Sequence, residues 1–199
     1  MELIRITKEN LEQEHICCAI SNNNDVQVTS KKTWLEKRFN EGLVFLKGDV
    51  RGKCFIEYIL AENAWAPIEA SGYLYIDCFW VSGQYKGHGY SNKLLNACIE
   101  DAKQQGKKGL VILSSNKKMP FLSDPKYLKH KGFETVDFAM PYYELMCLKF
   151  EAIQIESVMQ AQMAPASFTT YSLFYNGEFV TNEILSGKKF DKMITDMIQ

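Results

Sequence analysis

Apolar residues along this chain recur with two different periods, and the switches between them lay out an order of strands and helices. Residues 2–6, ELIRI, alternate polar and apolar and predict a first strand. Thr7 can cap a helix starting near Lys8, with Leu11, Ile16, Ala19 and Ile20 on its inner face. The polar run 21–25 reads as a loop. Ser30 then opens a second short helix, with Trp34, Leu35 and Phe39 inward and Gly42 ending it. Leu43–Leu46 and Cys54–Ala61 are apolar runs on either side of the turn residues 48–52, which predicts a hairpin. Ala66-Pro67 breaks the pattern before a long strand, Tyr73–Val81. The period then becomes helical, with Tyr90, Leu94, Leu95, Cys98, Ile99 and Ala102 on one face. The run 110–113 predicts a short, fully buried strand. Asp124-Pro125 reads as N-cap and first helical residue, with Gly132 just past the end of that helix. Residues 142–149 make a further strand.

Residues 151–199 differ in character. Ala152–Ile155 is a candidate strand and 159–165 is irregular. The runs 170–174 and 179–185 flank Tyr175-Asn176-Gly177-Glu178, and Asn-Gly is the strongest short hairpin signal. A last helix from Ser186 carries Phe190, Met193, Ile194, Met197 and Ile198 on one face. A unit this small cannot bury both apolar faces alone, so it is expected to pack on the body or on a second copy of the chain, as a homodimer.

Composition narrows the class without naming it. The 199 residues suffice for one core and an appendage. A net charge of −1 gives no basic footprint for nucleic acid. No apolar run approaches the ~20 residues that cross a membrane, and the charged, amphipathic N-terminus does not read as a signal peptide. The six cysteines form no C-x-x-C pair. Reduced, buried thiols in a cytoplasmic protein are therefore expected, with no metal site and no disulfide framework.

The strand, loop and helix at 79–105 carry the most specific chemistry. The loop reads Gln84-Tyr85-Lys86-Gly87-His88-Gly89. Glycine lets backbone N–H groups approach a ligand, and a helix opens with unpaired donors and partial positive charge, a combination suited to a pyrophosphate. A Walker loop would need Gly-Lys-Ser/Thr, but Tyr90 and Ser91 follow Gly89. A dinucleotide fingerprint would need a third glycine where Asn92 stands. The remaining pattern, Val81-x-x-Gln84-x-x-Gly87-x-Gly89 after a hydrophobic strand, resembles motif A of the GNAT N-acetyltransferase superfamily. The order of elements is similar to that family too, as is Gly132-Phe133 between a helix and a strand. The resemblance covers residues 1–150. It implies an α/β fold with a mixed, mostly antiparallel central sheet flanked by helices, followed by a small α+β appendage (hairpin plus helix) at 151–199. That appendage resembles the second half of the thioredoxin-like domain in YoaP-type bacterial GNAT proteins. The first strand, helix and cysteine motif of such a domain do not precede it, so no thiol-redox activity is carried over.

The resemblance further implies acetyl-CoA as co-substrate and direct transfer to an amine in a ternary complex. Tyr85, Lys86, Gly87, His88, Gly89 and Tyr90 would then surround the pyrophosphate. Phe79, Trp80 and Val81 would border the pantetheine arm, one backbone N–H there polarising the thioester carbonyl, and a bulge would free it. Asn116 follows the end of the neighbouring strand, where such sheets place ligands. Asp77 is the only carboxylate of the signature strand, and simple alternation puts it on one face with Tyr75, Phe79 and Val81. It is the candidate base; the alternative is a structural pairing with a lysine or a backbone group. Glu57 is a lesser candidate. The family's acid is a Tyr four residues before the Gly of Gly-Phe, a position held here by Leu128; Tyr127 lies about 100° round the helix from it and is the candidate acid. The expected acceptor is a small-molecule or peptide amine. The rival function is a non-catalytic acyl-CoA-binding or protein-interaction module, which the absence of Tyr at 128 favours.

Overall fold

The computed structural model describes residues 2–17, 20–50, 53–119, 121–150, 159, 173–175, 178–181 and 185–197, with the backbone alone for 174–175, 178–179 and 196–197. The chain divides into two compact units, Met1–Phe150 and Glu151–Gln199.

In the first unit the elements run β1 (Leu3–Ile6), α1 (Val26–Phe39), β2 (Val44–Gly48), β3 (Cys54–Leu60), β4 (Leu74–Val81), α2 (Tyr90–Gln104), β5 (Gly109–Ser115), α3 (Pro125–His130), β6 (Glu134–Ala139) and β7 (Tyr143–Lys149). The seven strands form one sheet in the order β1-β2-β3-β4-β5-β7-β6. Every neighbouring pair is antiparallel except β4 and β5, which run parallel. That parallel pair needs a crossover, and α2 supplies it.

Side-chain alternation divides the core into two layers, one on each face of the sheet. On one face Leu94, Leu95, Cys98 and Ala102 of α2, with Leu128 of α3 and Phe133, pack on Ile56, Tyr58, Leu74, Ile76 and Ile112. Burial of the two α2 leucines is worth ~1.5–3 kcal/mol each as an upper estimate. Tyr58 also donates its hydroxyl to Asp101 of α2 at 2.8 Å. On the other face Val28 and Leu35 of α1, with Leu11 and Ile16, pack on Phe45, Phe55, Ile59, Tyr75 and Val111.

Two expectations at the N-terminus are corrected. No α-helix forms from Lys8; residues 8–13 make turns. Asn10 is the cause: its side chain accepts from the Thr7 N–H at 2.9 Å and donates to the Arg5 carbonyl at 3.0 Å, which ties the segment to β1. Leu11 and Ile16 are buried all the same. Helix α1 starts at Val26, not Ser30, because Asp25 caps it by accepting from the Gln27 N–H at 2.8 Å. The later helix follows its signals: Asp124 caps α3 with Pro125 at its start, and Gly132 is left-handed just beyond its end.

In the second unit β8 (Leu173–Tyr175) and β9 (Glu178–Thr181) pair antiparallel, and α4 spans Gly187–Met197. This is the hairpin and helix that the apolar pattern predicted. The turn residues Asn176 and Gly177, the candidate strand 152–155 and Ile198 lie outside the described residues. No described helix is long and apolar enough to cross a membrane.

Candidate active site

Strands β4 and β5 part company half-way along β4. Their register runs only from Leu74 opposite Leu110 to Ile76 opposite Ile112. Beyond Ile76, β4 keeps only its β3 partner, and it does so through a bulge: Tyr58 faces Ile76, Glu57 faces Cys78, and Asp77 is the extra residue between. The bulge overturns the simple alternation. Leu74 and Ile76 share the α2 face with Phe79 and Val81, whereas Tyr75 shares the α1 face with Cys78 and Trp80. Asp77 sits at the break, exposed.

Backbone donors follow from the same ladder. The Ser82 N–H donates to the Lys53 carbonyl of the β3 side at 2.7 Å. Alternation then turns the Trp80 and Cys78 N–H groups toward β3 and leaves those of Phe79 and Val81 facing the gap that β5 has vacated. Of the three residues named from the sequence, Trp80 therefore spends its backbone donor within the sheet.

The loop after β4 makes a short 3₁₀ turn, Gly83–Tyr85, then passes through Gly87 at φ +80° and Gly89 at φ +72° into α2. Both values belong to the left-handed region that glycine adopts without cost. A Cβ at either would meet no atom within 4 Å, so neither glycine is there to relieve packing inside the protein. No described backbone group accepts from the N–H of Gly87, His88 or Gly89. Together with the first turn of α2, these donors would make a cradle for an anion. Lys86 and His88 are exposed beside it, and Tyr90 stacks on Tyr85 and His88 with centroids 5.8 Å apart in each case. The residues thus fit a pyrophosphate.

On the α1 face, Glu57 is fully buried and accepts from Lys31 of α1 at 2.8 Å through Oε2. Its Oε1 is buried without a donor among the described residues. Burial raises the Glu57 carboxyl to about 7, Lys31 pulling it down and the neighbouring Asp77 pushing it back up. Burial disfavours the Lys31 charge, but Glu57, Cys78 and Asp77 outweigh it and raise its pKa. Asp77, at the mouth, and Glu57, beneath it, thus form a carboxylate pair with one ammonium. Asp77 also lines a cavity of about 80 Å³ with Tyr75, Cys78, Phe79, Trp80, Ile112 and Phe121. The lining of that cavity draws residues from both faces of the sheet, where β4 and β5 diverge.

A family model described as acetyltransferase (GNAT) family matches residues 8–120, and one described as YoaP-like matches residues 149–192. The chain is 37% identical to the uncharacterized N-acetyltransferase YoaP of Bacillus subtilis (strain 168), over 98% of each chain. The chain belongs to the GNAT family of acetyltransferases. The YoaP alignment runs over 247 positions, more than the 199 residues here, so YoaP holds segments without a counterpart in this chain. Among solved structures, the fold is similar to that of Ard1 from Thermoplasma volcanium, with a TM-score of 0.54 and 11% identity over 76% of this chain and 98% of that one. It is similar also to yncA from Salmonella typhimurium, solved with acetyl-CoA, with a TM-score of 0.51 and 17% identity over 79% and 98%.

Against the GNAT pattern, α3 departs in a specific way. Leu128, where that family has its tyrosine, is fully buried in the α2-side core. Tyr127 instead turns its ring to Phe79, with centroids 5.8 Å apart, and its hydroxyl lies 3.4 Å from Asn92 Oδ1 in the first turn of α2. Burial raises its pKa. Asn116 is exposed past the end of β5, its N–H donating to the Tyr142 carbonyl at 3.1 Å, and it does not line the cavity. The cavity wall there comes from Phe121, Leu122 and Ser123, which sequence reasoning missed. Buried Ser114 holds that wall by donating to the Ser123 carbonyl at 2.7 Å. The signal was present in Ser114 and Ser115 at the end of a buried strand, whose hydroxyls need nearby acceptors.

Proposed function

We propose that this protein is an acetyl-CoA-dependent N-acetyltransferase that acylates a primary amine by direct attack in a ternary complex. The observation that carries this reading is the convergence, at one break in the sheet, of free backbone donors on the α2 face and a carboxylate pair on the α1 face. Acetyl-CoA supplies the acetyl group as a thioester. The N–H groups of Gly87, His88 and Gly89 and the first turn of α2 hold its pyrophosphate, with Lys86 adding charge. The N–H groups of Phe79 and Val81 hold the pantetheine arm and the thioester oxygen.

The amine enters from the α1 face, where Asp77 meets its ammonium form at the mouth. The Glu57–Asp77 pair takes the proton that the nitrogen must lose before it bonds to the carbonyl carbon. As the carbon–sulfur bond breaks, the Tyr127 hydroxyl gives its proton to the sulfur, and the second proton that the nitrogen sheds in becoming an amide restores that hydroxyl through water. Lys31 keeps Glu57 charged once the proton has gone back to water. The test is steady-state consumption of acetyl-CoA against a panel of amines at saturating coenzyme. Turnover with any primary amine, lost in the Glu57→Gln/Asp77→Asn double variant, supports the reading. Coenzyme binding without turnover across the panel leaves the acyl-CoA-binding module as the function.

A further inference from the structure

A second cavity, of about 580 Å³, lies on the α1 face. Its walls include Glu14, His15, Asn23, Lys47 and Lys53. The register fixes its place in the sheet. Lys47 of β2 stands opposite Phe55, and Lys53, just before β3, accepts through its carbonyl from Ser82 at the end of β4. Lys47 shares its face with Phe45, and Lys53 its face with Phe55 and Glu57, by alternation along β2 and β3. The cavity is thus at the diverging end of the sheet but on the opposite face from α2 and the pyrophosphate cradle. Along β3, Lys53 is four residues from Glu57, or ~13 Å at the strand rise.

The chemistry of this cavity has a sign. Lys47 is buried and paired with Glu14 at 2.5 Å. Lys53 is half-buried and makes no ion pair among the described residues. Two ammonium groups against one carboxylate leave a positive excess. His15 is fixed beside them, its Nε2 donating to the Cys17 carbonyl at 2.7 Å and its Nδ1 2.9 Å from Asn23 Oδ1. Between this cavity and the carboxylate pair, on the same face, stands Trp80 opposite Phe55, its indole N–H buried without an acceptor among the described residues. A buried donor without a partner is costly unless a ligand brings an oxygen to it.

We propose that this cavity is the distal half of the acceptor site, and that the acceptor is an elongated amine ending in an anion. The amino group lies at Asp77 and Glu57, the body runs past Trp80, and a carboxylate or phosphate at the far end, ~10–13 Å away, pairs with Lys53 and Lys47. This rests on the transferase reading above. A pocket of this volume is within the range that holds small ligands.

The experiment uses the full chain and a series of straight-chain ω-amino carboxylates from 6-aminohexanoate to 10-aminodecanoate, with alkylamines of the same length as neutral controls and ω-aminoalkyl phosphates as the second anion. The ratio of kcat/KM for an anionic amine to that for its neutral match is expected to be tenfold or more at the best length. Lys53→Ala is expected to bring that ratio to about one, and Lys53→Arg to restore it. Carboxylate and phosphate series then tell the two anions apart. A ratio near one in the wild type, or one that Lys53→Ala leaves in place, overturns the proposal. Calorimetry of the N-acetylated amino carboxylates reads the subsite without turnover. Binding at least tenfold weaker in Lys53→Ala is expected even if no amine in the series is turned over, and equal binding overturns the proposal. Absent turnover with intact, Lys53-dependent binding would count against the transferase chemistry alone.

Discussion

Glu57 and Lys31 meet at 2.8 Å, with the glutamate side chain fully buried and the lysine side chain 27% exposed. Burial holds the carboxyl at about 7 in spite of the lysine, and Asp77 contributes to that rise. If Glu57 removes the amine proton, kcat/KM should climb as pH passes through about 7. Glu57→Gln should abolish that limb and lower kcat/KM by roughly 10²–10⁴-fold. Asp77→Asn removes the neighbouring negative charge, so the limb should persist and move to lower pH. A limb that vanishes in Asp77→Asn and survives in Glu57→Gln would exchange the two roles. The pH–rate profiles of both variants decide between them.

The same carboxyl makes stability depend on pH. Its folded pKa lies above the unfolded value, so the folded state binds the extra proton and the associated stability is present below about pH 4.5. That stability is lost as pH rises through about 7. Lys31 does not titrate in this window, since its own pKa is raised from an already alkaline value. Between pH 4.5 and 7.5 the wild type should therefore lose on the order of 2–4 kcal/mol relative to Glu57→Gln. Denaturant titrations of both proteins at each pH measure the difference, and parallel curves would place the Glu57 pKa near its ordinary value.

Much of this site was legible from residue patterns, and most of what was not turns on how β3 pairs with β4. Gly87 and Gly89, the strand before them and the helix after them follow from local backbone chemistry and a helical period, and they stand where the pattern put them. The faces of β4 were misassigned because alternation assumes one residue per ladder step, and the bulge at Asp77 adds one. A bulge depends on pairing with β3, which the strand's own residues do not encode. Glu57 was undervalued for the same reason: it is twenty residues from Asp77 in sequence, and only the β3–β4 register brings it beneath that residue. The N-terminal helix failed where Asn10 competed for backbone groups, a local effect that apolar spacing does not report.

Tyr127 and Leu128 are neighbours on α3 with different surroundings, Tyr127 against Phe79 and Leu128 in the α2-side core. Tyr127→Phe should lower kcat at saturating acetyl-CoA if the hydroxyl protonates the leaving sulfur, with the Phe79 contact and the fold retained. Full activity in that variant would remove the hydroxyl from the reaction. Leu128→Ala should act on the fold instead, costing ~2–5 kcal/mol, because that side chain is fully enclosed between α3 and the sheet. Thermal unfolding and kcat measured on both variants should separate the two effects.

Gly89 and Gly109 both have positive φ, +72° and +155°, yet substitution should harm different properties. A Cβ at Gly89 would point into open space, so Gly89→Val should fold with a penalty of only ~1–2 kcal/mol from the left-handed backbone. Its isopropyl group would stand where the pyrophosphate must approach the loop N–H groups, so acetyl-CoA affinity should fall strongly. A Cβ at Gly109 would lie 2.1 Å from the Leu148 carbonyl oxygen, a distance no contact tolerates, at the point where β5 begins its pairing with β7. Gly109→Ala should therefore cost ~3 kcal/mol of stability by forcing those strands apart. Below its lowered melting temperature it should still bind acetyl-CoA, because the cradle at 87–89 lies at the other end of α2. Calorimetric affinity and melting temperature, measured on both variants, should move in opposite patterns. Unchanged acetyl-CoA affinity in a folded Gly89→Val protein would rule out the pyrophosphate cradle, and an unchanged melting temperature in Gly109→Ala would rule out the close β5–β7 approach.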